Sequence, residues 1–568
     1  MNRSMKGASY MYLGTVAQRL MTFSLKLCTY HYVSSVDSGF SNGPLELLRK
    51  AALELREPAR LTALRAPLSV LSDAVSTPLG RVRWQQLVNL AWFPVPLTVF
   101  SALLCLFLQG FILGIPEASK VMGAYPAFYV TCASMVVEAL AEPANILTNT
   151  LMMYGKRAGT DTFAALVHSL VTFSVAFFGG GALATPCGNL AVALVKFVGY
   201  WGALLLSGGG GLGWRSMLPG WLEDGVGGLL GPGRGTLLAD FFQQSVLKFS
   251  LTEADSFILV STQSFSAQGD YDMVKNLGSV APRMIFFPLE EALRGLVSKL
   301  LPTGGRREGA EVVVAHDSLR RTNSRPRSRT PSRVSKCGPK SFQTPPIQAS
   351  TASPQSLPHL SLAVSVLAGV SHMVLLVGLL IATLGPVFSP LLPRLYPRYE
   401  GVTALFAGFC VYTVFLAANG VAEAFSTAAA DSRRLKAASL HLLLSAALQY
   451  ALTLPLLPYW GISAVIATNA LVTALRTLSS LSYTSILLSR ELMDFWPYLL
   501  SALPRTLTLG LLGAAMALGE RWMRVSRNLN FLTTLTGVGV VGLATAAGVF
   551  CLEAARLRET WKLLKGSG

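Results

Sequence analysis

Apolar runs of about 20 residues, the length of helix that crosses a hydrocarbon core, recur along almost the whole chain with short polar gaps between them. They predict helices near 9–30, 43–64, 86–113, 122–148, 158–178, 187–207, 241–264, 269–299, 360–385, 401–428, 437–457, 461–488, 497–519 and 531–554. The expected fold is an all-α polytopic membrane protein with about fourteen transmembrane helices. Two stretches break the pattern: a Gly-rich segment over 207–235, and a Ser-, Pro-, Thr- and Arg-rich segment over about 302–358 that is too polar to pack a core.

The chain also compares with itself. VVEALAEPANIL (136–147) resembles ANGVAEAFSTAA (418–429), which aligns Glu142 with Glu423, and a basic turn follows each copy (Lys156-Arg157 and Arg433-Arg434). The expected organisation is an N-terminal six-helix lobe over 1–208, a Gly-rich cytosolic linker over 209–240 and a second six-helix lobe over 241–490. The disordered loop 302–358 interrupts that second lobe. Two further helices and a basic tail occupy 491–568. Parallel repeats of this kind hold a cavity between their halves in many transporters.

Composition excludes a soluble enzyme: of 568 residues 52% are apolar and 13% charged, against roughly 25% charged in soluble domains. The net charge of +18 is no general nucleic-acid signal, because ten Lys/Arg and three Asp/Glu fall within Arg306–Lys340. That Arg-Ser run reads as a solvated, phosphorylatable loop in preference to an RNA-binding one. Lys and Arg otherwise concentrate in the even-to-odd loops and the tail, so positive-inside bias predicts both termini in the cytosol. The seven cysteines stand singly and the six histidines form no ligand set, which argues against disulfides and metal sites. Arg3 and Lys6 precede an apolar run broken by Gln18, Arg19 and Lys26, which reads as an uncleaved first helix.

Ionisable residues inside the spans carry the functional signal, since each costs on the order of 2.5–3.5 kcal/mol at mid-bilayer and therefore usually faces a cavity or a partner. At about 100° per residue, Glu46, Arg49, Lys50, Glu54, Arg56, Glu57 and Arg60 fall on one face of the second helix. An interfacial helix lying on the cytosolic surface would show the same pattern. Asp272, Lys275, Asn276, Ser279, Arg283, Glu290 and Arg294 form a stripe on the eighth. Arg19 and Lys26 in the first helix match Lys248, Glu253 and Asp255 in the seventh, and Lys196 and Arg476 lie in the sixth and twelfth. Together they predict a large polar cavity of cationic bias; structural ion pairing of these residues is the competing reading. Asp270-Tyr271-Asp272 is a D-x-D, a weak glycosyltransferase signal. Glu138 and Glu142 are i,i+4 on one helix face and suit either cation or proton binding or packing around Pro143. No P-loop occurs.

The chain resembles the eukaryotic Rft family of oligomannosyl dolichol-diphosphate translocation proteins. FFQQSVLKFSLTEADSFIL (241–259), QGDYDMVKNLGSVAPRMIFFPLEEAL (268–293), VVEALAEP (136–143) and ANGVAEAF (418–425) carry the resemblance, with LREPAR (55–60) and QLVNLAWFPVP (86–96) in support. The family itself is similar to the fourteen-helix superfamily of polysaccharide exporters, multidrug extruders and the peptidoglycan-lipid flippase. The resemblance implies a non-enzymatic, multi-pass protein of the endoplasmic reticulum membrane that flips or handles dolichol-diphosphate-linked oligosaccharide for N-glycosylation. Its partners would be that glycolipid and membrane lipids, with association with N-glycosylation enzymes a further implication; no cofactor, metal or nucleic acid is implied. Carried over by position, its pattern marks Arg56, Glu57, Arg60, Glu142, Gln244, Lys248, Glu253, Asp272, Asn276, Arg283, Glu290, Glu291, Asn419 and Glu423. Arg19 joins them as a cavity residue on charge alone. A cationic groove suits a diphosphate, which Arg binds through paired donors and Lys as a point charge. A non-transporting scaffold that presents the glycolipid, an ion-coupled exporter and a multispanning glycosyltransferase are the alternatives.

Overall fold

The computed structural model describes residues 18–65, 77–110, 114, 118–206, 214–220, 230, 234–300, 356–430, 432–490, 494–526 and 530–566; among them every regular element is helical. The first is α1, over 18–32. Next comes α2, assembled from Ser35–Phe40, a π-turn at Ser41–Leu45, Glu46–Glu54 and Glu57–Ala63. The first half continues with α3 (Pro78–Phe107), α4 (Ala124–Thr150), α5 (Tyr154–Phe177) and α6 (Ala184–Leu206). The second half opens with α7 (Arg234–Thr252 and Ala254–Thr262) and α8 (Phe265–Gly278, a π-turn at Pro282–Phe286, and Phe287–Leu300). It continues through α9 (Ser356–Phe388), α10 (Val402–Ala428), α11 (Ser432–Trp460) and α12 (Ser463–Arg490), and the chain ends in α13 (Thr506–Val525) and α14 (Phe531–Gly566).

Ten of these helices, α3–α6 and α9–α14, are long and apolar enough to cross a membrane. The other four include α2 and α8, on which the sequence places the charge stripes, and α1 and α7, which carry Arg19, Lys26, Lys248, Glu253 and Asp255. Several boundaries differ from the predicted ones. The gap expected over 31–42 shrinks to two residues, because Ser34 caps α2: its hydroxyl accepts from the Asp37 N–H (3.1 Å) and donates to the Asp37 carboxylate (2.7 Å). The third helix starts at Pro78 rather than 86, where Thr77 accepts from the Gly80 N–H and Pro occupies the first turn, which needs no N–H there.

The two halves meet through a matched pair of breaks. Ser264 caps α8 by accepting from the Ala267 N–H (3.4 Å), as Ser34 caps α2. Five residues past each cap stands a glycine, Gly39 and Gly269. Here α2 and α8 cross so closely that a Cβ on Gly39 would overlap the Phe265 carbonyl and one on Gly269 the Ser35 carbonyl. Ser35 and Ser266 share a hydrogen bond of 3.0 Å beside the crossing, and the Phe40 and Phe265 rings pack edge to face at 5.3 Å. The α5–α6 and α9–α10 connections gather at the same end, where Ser41 donates to the Ala182 carbonyl (2.7 Å), Arg398 to the Tyr32 carbonyl, and the Gly401 N–H to Asp270 (3.1 Å).

Two of the larger apolar cores gather around α4 and α10. Trp84, Leu87, Leu90, Leu147 and Leu204 join α3, α4 and α6, while Phe286, Leu293, Val364, Val370, Val421 and Phe425 join α8, α9 and α10. Far from lying on a surface, α2 is enclosed by α3, α4 and α7, with Leu47, Ala52, Leu53, Ala59 and Ala63 buried. Within the 209–240 segment read as a linker, Trp214–Met217 form a short turn pinned to α3: Trp84 donates to the Ser216 carbonyl (3.0 Å) and Trp92 to that of Met217 (2.9 Å). Most of the 302–358 loop lies outside the described residues.

Gly269→Ala should lower the melting temperature of the detergent-solubilised protein by the equivalent of about 1–3 kcal/mol, the cost of overpacking. Gly202→Ala, where a Cβ meets nothing within 4 Å, should be neutral or slightly stabilising. Equal melting of the two variants would refute the crossing.

Candidate functional site

A cavity of about 980 Å³ lies between the halves. The crossing of α2 and α8 closes one end, at Asn42, Gly43 and Gln268, and the walls continue to Arg60 and Lys248 at the opposite end. The lining carries nine Lys or Arg and seven Asp or Glu side chains, including all seven charged residues of the α2 stripe.

Most of these charges neutralise each other across helices. Glu138 of α4, 2% exposed, accepts from Arg49 (2.9 Å), Arg56 (3.1 Å) and Lys196 (3.1 Å). One turn on, Glu142 accepts from both Arg60 Nε and Arg60 Nη2 (2.7 Å to the latter), from Arg56 (3.4 Å) and from the Asn145 amide (3.2 Å). Arg49 also holds Glu46 as a two-pronged fork, at 3.0 and 2.8 Å. The spacings explain the fit: positions 49, 56 and 60 share one face of α2, and 138 and 142 one face of α4. Glu57 bonds Arg60 at 3.5 Å and forms no ion pair with Arg56.

A second group of contacts ties the halves together. Asp272 of α8 accepts from Tyr30 (2.8 Å) and Asn42 (2.8 Å), lies 3.8 Å from Lys26, and also receives the Asn276 amide (3.0 Å). Lys50 of α2 pairs with Glu253 of α7 at 2.9 Å. Asn42 stands eight residues after the Ser34 cap, as Asp272 stands eight after Ser264, and the two side chains meet in a hydrogen bond.

Three lining cations, Lys248, Lys275 and Arg283, form no ion pair among the described residues; Lys275 sits 5.9 Å from the centre of the Tyr271 ring. Arg283 also lines both adjoining spaces. The first, about 470 Å³ between α1, α5 and α8, is mostly apolar, with Phe23, Val33, Val280, Met284 and Phe287 in its walls. Arg19 borders it and donates to the Arg283 carbonyl (2.9 Å), inside the π-turn of α8 where the regular ladder is interrupted. The second, about 380 Å³ inside the second half, holds Glu290 and Glu423.

The structure thus brings Arg56, Glu57, Arg60, Lys248, Glu253, Asp272, Asn276 and Arg283 to one cavity, with Glu142 directly behind it and Arg19 beside it. Glu290 and Glu423 line the neighbouring space, and Glu291 is exposed and pairs with Arg294 at 3.4 Å. Tyr30 and Asn42 were not among the sequence-derived candidates. The spacing S-x4-G-x2-[ND], shared by Ser34–Asn42 and Ser264–Asp272, is the signal that marks the second of them.

A family model described as Rft protein matches residues 3–563. The Man(5)GlcNAc(2)-PP-dolichol translocation protein RFT1 of Xenopus tropicalis is 26% identical over 453 residues, 74% of this chain and 71% of that protein. The protein of the same name from Mus musculus is 25% identical over 505 residues, 82% and 79% of the two chains. Among solved structures, the lipid II flippase MurJ in an inward closed conformation matches with a TM-score of 0.53 at 12% identity, over 95% of this chain and 98% of that one, a likeness of fold.

Glu138→Gln removes the shared partner of three cations, so it should destabilise the protein by about 3–5 kcal/mol, the cost of breaking a buried pair. Lys248→Gln should leave melting unchanged. Thermal denaturation of both variants in the same detergent checks the contrast.

Proposed function

The chain belongs to the Rft protein family, and from that premise we propose that it moves dolichol-diphosphate-linked oligosaccharide from the cytosolic to the lumenal leaflet of the endoplasmic reticulum membrane. The observation that carries this reading is the cavity whose carboxylates are largely paired while Lys248, Lys275 and Arg283 are not. A glycolipid headgroup brings a diphosphate and many hydroxyls, which cannot enter hydrocarbon cheaply. Unpaired Lys and Arg supply charged donors for the phosphates. The paired stretch along α2 and α4 supplies fixed polar groups for the sugars. The mostly apolar space beside Arg283 fits the first units of the isoprenoid, with the rest left in the bilayer.

In this reading the chain crosses the membrane fourteen times, the four charged helices adding to the ten apolar ones. Both termini and the 302–358 loop are cytosolic, and the closed crossing faces the lumen. The two halves alternate about α1, α2, α7 and α8. The protein performs no covalent chemistry, and any association with N-glycosylation enzymes would place it next to the users of its cargo.

Purified protein in liposomes carrying labelled dolichol-diphosphate oligosaccharide on one leaflet should deliver label to the other. Label confined to its starting leaflet, with binding intact, would favour a presenting scaffold. Lys248→Gln, Lys275→Gln and Arg283→Gln should each weaken glycolipid binding by about 10- to 150-fold, the equivalent of about 1.5–3 kcal/mol for a hydrogen bond to a charged group, without loss of melting temperature. A glycosylation acceptor inserted within 386–400 should be modified, and one inserted in 302–358 should not.

A further inference from the structure

The 380 Å³ space inside the second half contains two carboxylates in unlike circumstances. Glu423 of α10 is fully answered: Arg476 of α12 donates at 2.6 Å and the Asn419 amide at 3.0 Å. Glu290, on α8, reaches the same wall at Gly420, where any Cβ would overlap its carboxylate. It forms no hydrogen bond or ion pair among the described residues, since its neighbour Arg294 turns to Glu291 at 3.4 Å. Asn419 is 8% exposed, lines this space, and its Oδ1 is buried without a hydrogen-bond partner. The bond from its amide to Glu423 fixes which way the group points. Asn419 Oδ1 is therefore a buried acceptor left unsatisfied, which is rare, and the part-exposed Glu290 carboxylate borders the same cavity with no hydrogen bond among the described residues.

We propose that Glu290 is a proton-binding site of the second half, protonated while α8 rests on α10 at Gly420 and ionised when that contact opens. A proton removes the charge facing Glu423 and supplies a donor for the unsatisfied Asn419 oxygen. A metal ion fits poorly. It would need about six oxygen ligands, whereas Pro282, Phe286, Phe287, Phe409 and Leu416 make up much of the remaining wall.

The other charged groups around Glu290 act in both directions. On α8 itself Lys275, Arg283 and Arg294 border the space; they oppose a metal cation and, more weakly, a proton, whereas Glu423 opposite favours the neutral carboxyl. From α7, Asp255 is held by neutral donors, Asn469 (2.8 Å), Tyr271 (3.3 Å) and Gln449. Tyr412 joins from α10. His441 of α11 lies in a separate small pocket behind Glu423 and Arg476, and the contact with α9 is apolar through Leu289, Leu293 and Val364. The proposal holds whatever the cargo is.

Infrared difference spectra of the full chain in phosphatidylcholine vesicles, recorded across a pH titration, test it. A carbonyl stretch of a protonated carboxyl, sensitive to deuterium exchange, should appear in the unmodified protein and vanish in Glu290→Gln. Asn419→Ala should displace the band. Glu423→Gln should keep it but move its titration to lower pH, because removing a facing negative charge makes proton loss easier. Glu290→Asp, which retains a carboxyl on a shorter stem, should displace the band and serves where the glutamine variant does not accumulate. A band that persists unchanged in the Glu290 variants, or the absence of any titrating carboxyl band in the unmodified protein, overturns the assignment.

Discussion

An ion cannot be left alone away from water, and the first half of this protein is arranged around that constraint. Glu138 and Glu142, each with a side chain 2% exposed, are inside α4 only because Arg49, Arg56, Arg60 and Lys196 reach them from α2 and α6. The same bonds decide where α2 lies. A helix with this many charges would otherwise stay in an aqueous interface; here its polar face turns to the cavity and to α4, while Ala52, Ala59 and Ala63 pack into the bundle. The cavity is polar because the helices that build it must answer each other's charge, and of the side chains left without an ion pair among the described residues three are cations (Lys248, Lys275, Arg283) and one, Glu54, is an anion.

The charge stripes were legible because helical geometry fixes direction: residues at 100° steps share a face whatever the tertiary fold. Their partners were not. Arg56 has Glu57 next to it in the chain yet bonds Glu138 and Glu142, and Arg283 has no ion pair with Glu290, because partnership depends on the depth and rotation of a second helix. Glu142 and Glu423, which the internal comparison aligns, each accept from an arginine. The helix starts at Ser35 and Pro78 were misjudged because hydropathy registers polar first turns as loop, although Ser34-x-x-Asp37 and Thr77-Pro78 are capping signals. Gly39 and Gly269 gave no local sign, since a glycine shows only that a close approach is allowed, never with what.

Beside the crossing, polar contacts of two kinds join the first helices to α7 and α8. Near the closed end Asp272 gathers Lys26, Tyr30, Asn42 and Asn276 into one hydrogen-bonded knot, and farther along Lys50 and Glu253 form a single bridge. The knot draws on three helices and would have to be dismantled as a unit. The bridge is one pair, with its lysine side chain 40% exposed, and such pairs contribute little. At the far end of α2 the contact with α7 is instead apolar and aromatic, with Arg65 over the Phe241 ring at 4.9 Å and Leu238 packed among Ala59, Ala63 and Trp84.

The crossing also has a mechanical consequence. Gly39 and Gly269 bring backbone onto backbone with no side chain between, so the contact keeps its shape when side chains change rotamer. From Gly39 to Arg60 along α2 is about 30 Å at 1.5 Å per residue. Any tilt at that glycine pair is therefore magnified with distance, and about 10° of rotation there sweeps the Arg60 end through about 5 Å, roughly the pitch of one helical turn. In the proposed alternation of the halves, this backbone contact is the natural pivot.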